Sequence, residues 1–144
     1  MTTVRSDRLL ALPVRLHGIT LGRPVDLLLD LEESKLIGLD VLCGDHVHRF
    51  LPFPTAVVSE DEITIRSPFV LFEEDQLAFY RQRTVALATL RGNALHRDGR
   101  EVGMLDDVVV GTDGAVSAVV VAGRELPWDE RTRIQPESRA AAVS

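Results

Sequence analysis

The sequence predicts a mainly β protein made of two similar halves, and three observations carry the prediction. The first is an internal repeat. Leu16-His17-Gly18 returns as Leu90-Arg91-Gly92, Gly22-Arg23-Pro24-Val25 as Gly99-Arg100-Glu101-Val102, and Leu51-Pro52-Phe53 as Leu126-Pro127-Trp128, with nearly the same step along the chain each time. The second is a series of short apolar runs bounded by Gly, Pro and Asp-Gly, the punctuation of strands and tight turns. The third is period-2 alternation, clearest where Ile63 and Ile65 alternate with Glu62, Thr64 and Arg66.

Taken in order, residues 1–8 are polar and expected to be loose. Strands are predicted over 14–17, 24–31, 36–43 and 46–51, with a polar turn at 31–35 and another at Gly44-Asp45. Pro52 and Pro54 stop the fourth strand, and a hairpin over 56–66 turns at Glu60-Asp61. Leu28 and Leu29 point to opposite faces of their strand, which predicts cover on both sides. Residues 73–83 have helical character. Glu73, Glu74 and Asp75 open the segment, and Arg81 and Arg83 close it, as the helix dipole favours. In the second half, strands are predicted over 85–90, 102–110, 116–121 and 124–126, with a last one at Ile134. Asp98-Gly99 and Gly111-Thr112-Asp113-Gly114 are the turn signals. The resulting plan is a first unit over 9–68, a helical connector over 69–84, a second unit over 85–136 and a disordered tail over 137–144.

Composition narrows the function classes. The chain has 144 residues, 45% of them hydrophobic, enough for a real core. Halves of about 60–65 residues are each near the lower limit for independent stability, so they are expected to pack on each other. Net charge is −6 and the halves carry it equally, which gives non-specific nucleic-acid binding no electrostatic support. Cys43 is the single cysteine, so no intrachain disulfide forms. With no charged-then-apolar leader and no apolar run approaching about 18 residues, a cytoplasmic protein without membrane insertion is expected.

The second half shows a family resemblance. Leu90-Arg91-Gly92, Asp98-Gly99, Val102-Gly103, Asp107-Val108-Val109-Val110, Asp113-Gly114-Ala115-Val116 and Val119-Val120-Val121 form a sequence of Gly turn, "VG", aspartate opening an apolar strand, Gly hairpin and second apolar strand. This resembles the PRC-barrel family, the small β-barrel of the photosynthetic reaction-centre H subunit and of the ribosome maturation factor. Leu126-Pro127-Trp128 resembles that family's turn into its last strands. The resemblance implies two small PRC-barrel-like β-barrels from an internal duplication, joined by a short helix. Gly18, Gly22, Gly92, Gly99, Gly103, Asp107 and Gly114 are then the structural turn residues, and Asp30 and Asp107 occupy equivalent places bonded to turn amides. The first half departs from the pattern at Asp26, at Leu31-Glu32-Glu33, and at Gly38 and Asp40 in the returning strand.

Candidate chemistry is sparse. Cys43, His46 and His48 invite a metal reading, since histidines at i,i+2 on a strand share a face, but Gly44-Asp45 interrupts the strand. Asp106 and Asp107 fall on opposite faces and form no carboxylate dyad. No phosphate loop, nucleophile elbow or Cys-x-x-Cys is present, and neither an enzyme nor a cofactor is expected. Phe69 and Phe72 flank the connector. Either they fill a seam between the halves, or with Phe79, Tyr80 and Arg83 they form a patch that docks a partner protein. The resemblance implies a non-catalytic interaction, adaptor or assembly module with an unknown protein partner. A ribosome or RNA-maturation accessory, a metal- or ligand-binding regulator, and a homodimer joined through exposed β edges are the other readings.

Overall fold

The computed structural model describes residues 3–134. The end of the second predicted unit and the tail over 137–144 therefore lie outside the described residues. The chain is mainly β, as predicted, and its strands form three sheets. The largest is built from the first half: β2 (Val14–Leu16), β3 (Ile19–Asp30), β4 (Lys35–Cys43), β5 (His48–Pro52), β6 (Val57–Val58) and β7 (Ile63–Ile65) run in the order β5-β4-β3-β2-β7-β6. A helix, α2 (Glu74–Arg83), follows, and then β8 (Val85–Ala86), which pairs with β3. In the second half, β9 (Ala94–Arg97), β10 (Arg100–Met104) and β14 (Thr132–Ile134) form a three-stranded sheet ordered β10-β9-β14. The strands β11 (Asp107–Gly111), β12 (Val116–Val121) and β13 (Arg124–Pro127) join β1 (Thr3–Arg5) in the order β1-β11-β12-β13. These hydrogen-bonded ladders are open, and no closed barrel forms among the described residues.

Three local expectations are corrected. Residues 3–10 are not loose: β1 pairs antiparallel with β11, and α1 (Ser6–Leu10) follows it, burying Ser6 and Leu9. The predicted strand over 85–90 is only β8, because α3 (Leu87–Leu90) takes over. Leu87 and Leu90 are both buried, and residues three apart share a face only on a helix. The predicted strand over 102–110 is split between β10 and β11 at Leu105 and Asp106. Among the expected turn residues, Gly18, Gly92, Gly99 and Gly114 lie in turns with positive φ, and Gly103 carries its positive φ at a bulge inside β10. Gly22 lies within β3, and Asp107 opens β11.

The arm that precedes each half docks on the other half. Asp107 accepts hydrogen bonds from Val108 N–H (3.1 Å) and from Asp7 N–H (3.0 Å) at the start of α1. Asp26 accepts from Leu27 N–H (2.9 Å) and from Ala88 N–H (3.1 Å) at the start of α3. The step along the chain from Asp26 to Asp107 equals the step from Asp7 to Ala88. The counterpart of Asp107 is therefore Asp26, not Asp30. Asp30 does bond turn amides, accepting from Glu32 N–H and Glu33 N–H. Between the two hairpins, Leu36 N–H donates to Gly114 O (2.8 Å) and Val116 N–H to Ser34 O (2.9 Å), around a bridge between Lys35 and Ala115. Trp128 Nε1 donates to Ser34 Oγ (2.6 Å), while the Phe53 ring lies over Gly114, where an added Cβ would come within 3.3 Å of it. One continuous core results. Leu9, Leu27, Leu29, Leu39 and Leu51 pack in the same cluster as Leu90, Val108, Val110, Val119 and Val121.

Burial pushes the carboxyls of Asp26 and Asp107 above the ordinary aspartate range, against the pull of the amides that bond them. The folded-state pKa is thus raised above the unfolded value near 3.8. The stability tied to each protonated carboxyl is complete below that value and is lost as pH rises through the raised pKa. In thermal melts across this window, Asp26→Asn and Asp107→Asn should each flatten the fall in Tm with rising pH; an unchanged profile in both would contradict the assignment. Asp107→Ala should cost about 1–2 kcal/mol in urea unfolding at neutral pH, because it leaves Asp7 N–H without its acceptor and removes the ion partner of Arg91, while Val108 N–H keeps Ser6 Oγ.

Candidate functional site

The connector is built to sit on the outer face of the large sheet. Ser67 Oγ accepts from Phe69 N–H (3.2 Å) and caps a single 3₁₀ turn, Pro68–Val70. The chain then passes Phe72, whose N–H and C=O exchange hydrogen bonds with Phe50 on the edge strand β5 (2.8 and 2.9 Å). A capping box between Glu73 and Gln76 starts α2, with Glu74 and Asp75 in its first turn and Arg81 and Arg83 in its last. The helix spans ten residues, longer than the one or two turns its sequence suggested.

Three contacts hold α2 down. Leu77 is buried against Leu28 and Phe50. The Tyr80 ring stacks on Phe50 at 4.1 Å between centroids and 11° between planes. Arg81 pairs with the buried carboxylate of Asp40, which also lies 2.8 Å from His48 Nδ1. Under the stack, a Cβ on Gly38 would meet the Phe50 ring at 2.4 Å and Leu51 O at 2.6 Å. Gly38 and Asp40, two of the positions that depart from the repeat, are thus the mounting for the helix.

The five predicted docking residues separate into two groups. Phe72 and Tyr80 are packed in the cluster beneath α2. Phe69 is 88% exposed and Phe79 47% exposed, with the Arg83 guanidinium 3.6 Å above the Phe79 ring. The seam between the halves is filled instead by Phe53 and Trp128. Two grooves flank the connector. The larger, about 810 Å³, lies between the Cys43–Arg49 turn region and the 3₁₀ turn, with Leu21, Cys43, Phe69, Leu71 and Phe72 among its walls. Arg49 also lines it, bonding both oxygens of Asp45 (3.0 and 2.9 Å) and lying 3.7 Å from Glu73. That guanidinium holds the Asp45 carboxyl below the usual range. The second groove, about 670 Å³, runs between the end of β3 and the α2–β8 junction and includes Arg81 and Arg83.

The three residues of the metal reading have other surroundings. Cys43 is buried with its thiol 3.9 Å from Val41 O, His46 sits in the turn with φ 67°, and His48 is committed to Asp40. Among the described residues, no group of three or more His, Cys, Asp or Glu side chains converges to hold a metal ion. Asp106 is exposed and Asp107 buried, so this pair is split between faces as the strand period requires.

The roles of Phe50, Asp40 and Arg81 were not apparent from the sequence. The signal lay in Gly38 and Asp40: a glycine and an aspartate inside an apolar strand mark a close approach and a buried partner. Gly38→Ala should destabilise the fold by about 1–3 kcal/mol through overpacking, read by urea unfolding, with loss of the near-ultraviolet signal of the Phe50–Tyr80 stack. A neutral Gly38→Ala would mean that the ring does not press on this strand.

Among the described residues, no helix is long and apolar enough to cross a membrane. No protein-family model matches the chain, and no curated protein matches it.

Proposed function

We propose that this protein is a non-catalytic interaction module of the PRC-barrel kind, an adaptor or assembly factor whose partner is another protein that docks beside the connector. The observation that carries this reading is the exposure of Phe69 next to the larger groove. A largely solvated aromatic on a capped turn, beside a groove that has Leu21, Leu71 and Phe72 in its walls and Asp45, Arg49 and Glu73 among its polar lining, matches the anchor-and-pocket pattern of protein interfaces. Phe79 under Arg83 adds a second aromatic on the exposed face of α2. The reciprocal contacts, related by one nearly constant step along the chain, favour an origin by duplication of one small β unit, as the resemblance implies. The acidic balance favours a protein partner over nucleic acid, and the proposed setting is cytoplasmic.

The test is a tagged pull-down of the full chain from its native host at moderate salt, beside the variant Phe69→Ala plus Phe79→Ala. The variant should stay folded, losing about 1–2 kcal/mol with the Phe79 ring's contacts to Arg83 and Tyr80 and keeping the circular dichroism of the parent chain. A specific protein recovered with the parent chain and lost with the variant is the expected result. Recovery of ribosomal proteins with RNA, a partner retained by the variant, or no partner at all would overturn the reading.

A further inference from the structure

The larger groove beside the connector carries an unbalanced charge. Asp45, Arg49 and Glu73 are its ionised lining among the described residues, two carboxylates against one guanidinium. Arg49 is already committed. Its Nη1 and Nη2 donate to the two oxygens of Asp45 (3.0 and 2.9 Å), a two-pronged pair that satisfies both partners. Glu73 is left over. Its carboxylate stands 3.7 Å from Arg49 Nε, beyond hydrogen-bond reach, and is 69% exposed. Within the chain it accepts the Gln76 N–H of the capping box, a backbone donor that brings no net charge. Glu74 and Asp75 follow it in the first turn of α2, both exposed. The helix dipole favours acids at this place without supplying a counter-ion. Apolar side chains share the same groove: Leu21, Leu71 and Phe72 are half-buried in its lining, and Phe69 is largely solvated.

We infer that the groove takes a partner segment in which a lysine or arginine adjoins a large apolar side chain. This rests on the docking site proposed above and names the chemistry of what docks there. The apolar side chain packs against Leu21, Leu71 and Phe72, and the cation pairs with Glu73. A partner that closes over the groove removes water from the Glu73 carboxylate, and a desolvated carboxylate without a counter-ion is costly. An acidic segment adds repulsion from Glu73, Glu74 and Asp75. A neutral apolar segment makes the same apolar contacts but leaves Glu73 unpaired. One cation balances the groove, because Asp45 already has Arg49. The anchor then supplies affinity and the charge supplies the choice of partner.

Fluorescein-labelled peptides with a central Leu-Phe pair, flanked by Lys, Arg, Gln or Glu, are titrated with the full chain at low salt and followed by anisotropy. The basic-flanked peptides should bind at least about tenfold more tightly than the Glu-flanked one, and the preference should shrink as salt rises. Glu73→Gln keeps an oxygen for the capping box, so its circular dichroism should match the parent's while most of the preference disappears. Glu101→Gln removes the same formal charge from β10 and should keep the preference, which separates a local pairing from attraction to the acidic chain as a whole. Equal binding of basic and acidic peptides, a preference that survives Glu73→Gln, or one that Glu101→Gln also abolishes would overturn the inference. In those cases the docking site itself still stands if peptide binding falls with Phe69→Ala. Binding to none of the peptides overturns the inference as well, and the pull-down then judges the docking site separately.

Discussion

Two buried aspartates tie the molecule together. Each lies in a core strand and accepts an amide of its own strand and an amide from the first turn of a short helix that belongs, in chain order, to the other half. A carboxylate taken out of water must find donors, and a helix start has donors that lack partners. The two needs are met together only when the arms cross. The cost of burial, visible in the raised pKa of both groups, is offset by four backbone hydrogen bonds and by the leucines, Leu9 and Leu90, that the helices carry into the core. Because each arm completes the opposite half, the halves share one core and are not two independently packed units.

On this shared frame, the halves diverge where their surfaces are used differently. The first half has a longer hairpin that covers its own strand edge, and a glycine and an aspartate in β4 that let an aromatic stack and an ion pair hold α2 against the sheet. The second half has Ala118 and Val120 at the places matching Gly38 and Asp40, and an ion pair between Arg5 and Glu125 (3.2 Å) across that sheet. Its β10 pairs with β9 alone among the described residues. The connector is accordingly a platform fixed to the first half. Its aromatic residues divide between those that hold it down, Phe72 and Tyr80, and those it presents to solvent, Phe69 and Phe79.

Much of this arrangement is legible along the chain. Turn glycines, apolar strand runs and the acid-to-arginine gradient of α2 are local signals, set by backbone sterics and the helix dipole within a few residues, and they locate most strands and the connector helix. The words that suggest a repeat are legible, but the contacts do not follow their register. Matching short words put Gly18 with Gly92, whereas the contacts put Gly18 with Gly99, since both follow equivalent strands in turns of the same φ. The short helices α1 and α3 were missed for a related reason. Four or five residues carry too little periodicity to distinguish a helix from a strand, and only burial of residues three apart reveals it.

The sequence by itself determined the mainly β fold class and the presence of the helix over 74–83, because those follow from local backbone preferences and apolar periodicity. Tertiary structure alone decided that the arms cross, that Asp26 rather than Asp30 matches Asp107, and that Gly38 and Asp40 seat the connector. Each of these depends on which groups meet across long stretches of chain, as between Asp40 and Arg81 or Asp7 and Asp107. Long-range pairing of buried polar groups and strand edges leaves no mark in any short window of sequence; it is settled when desolvated donors and acceptors find one another in the packed core.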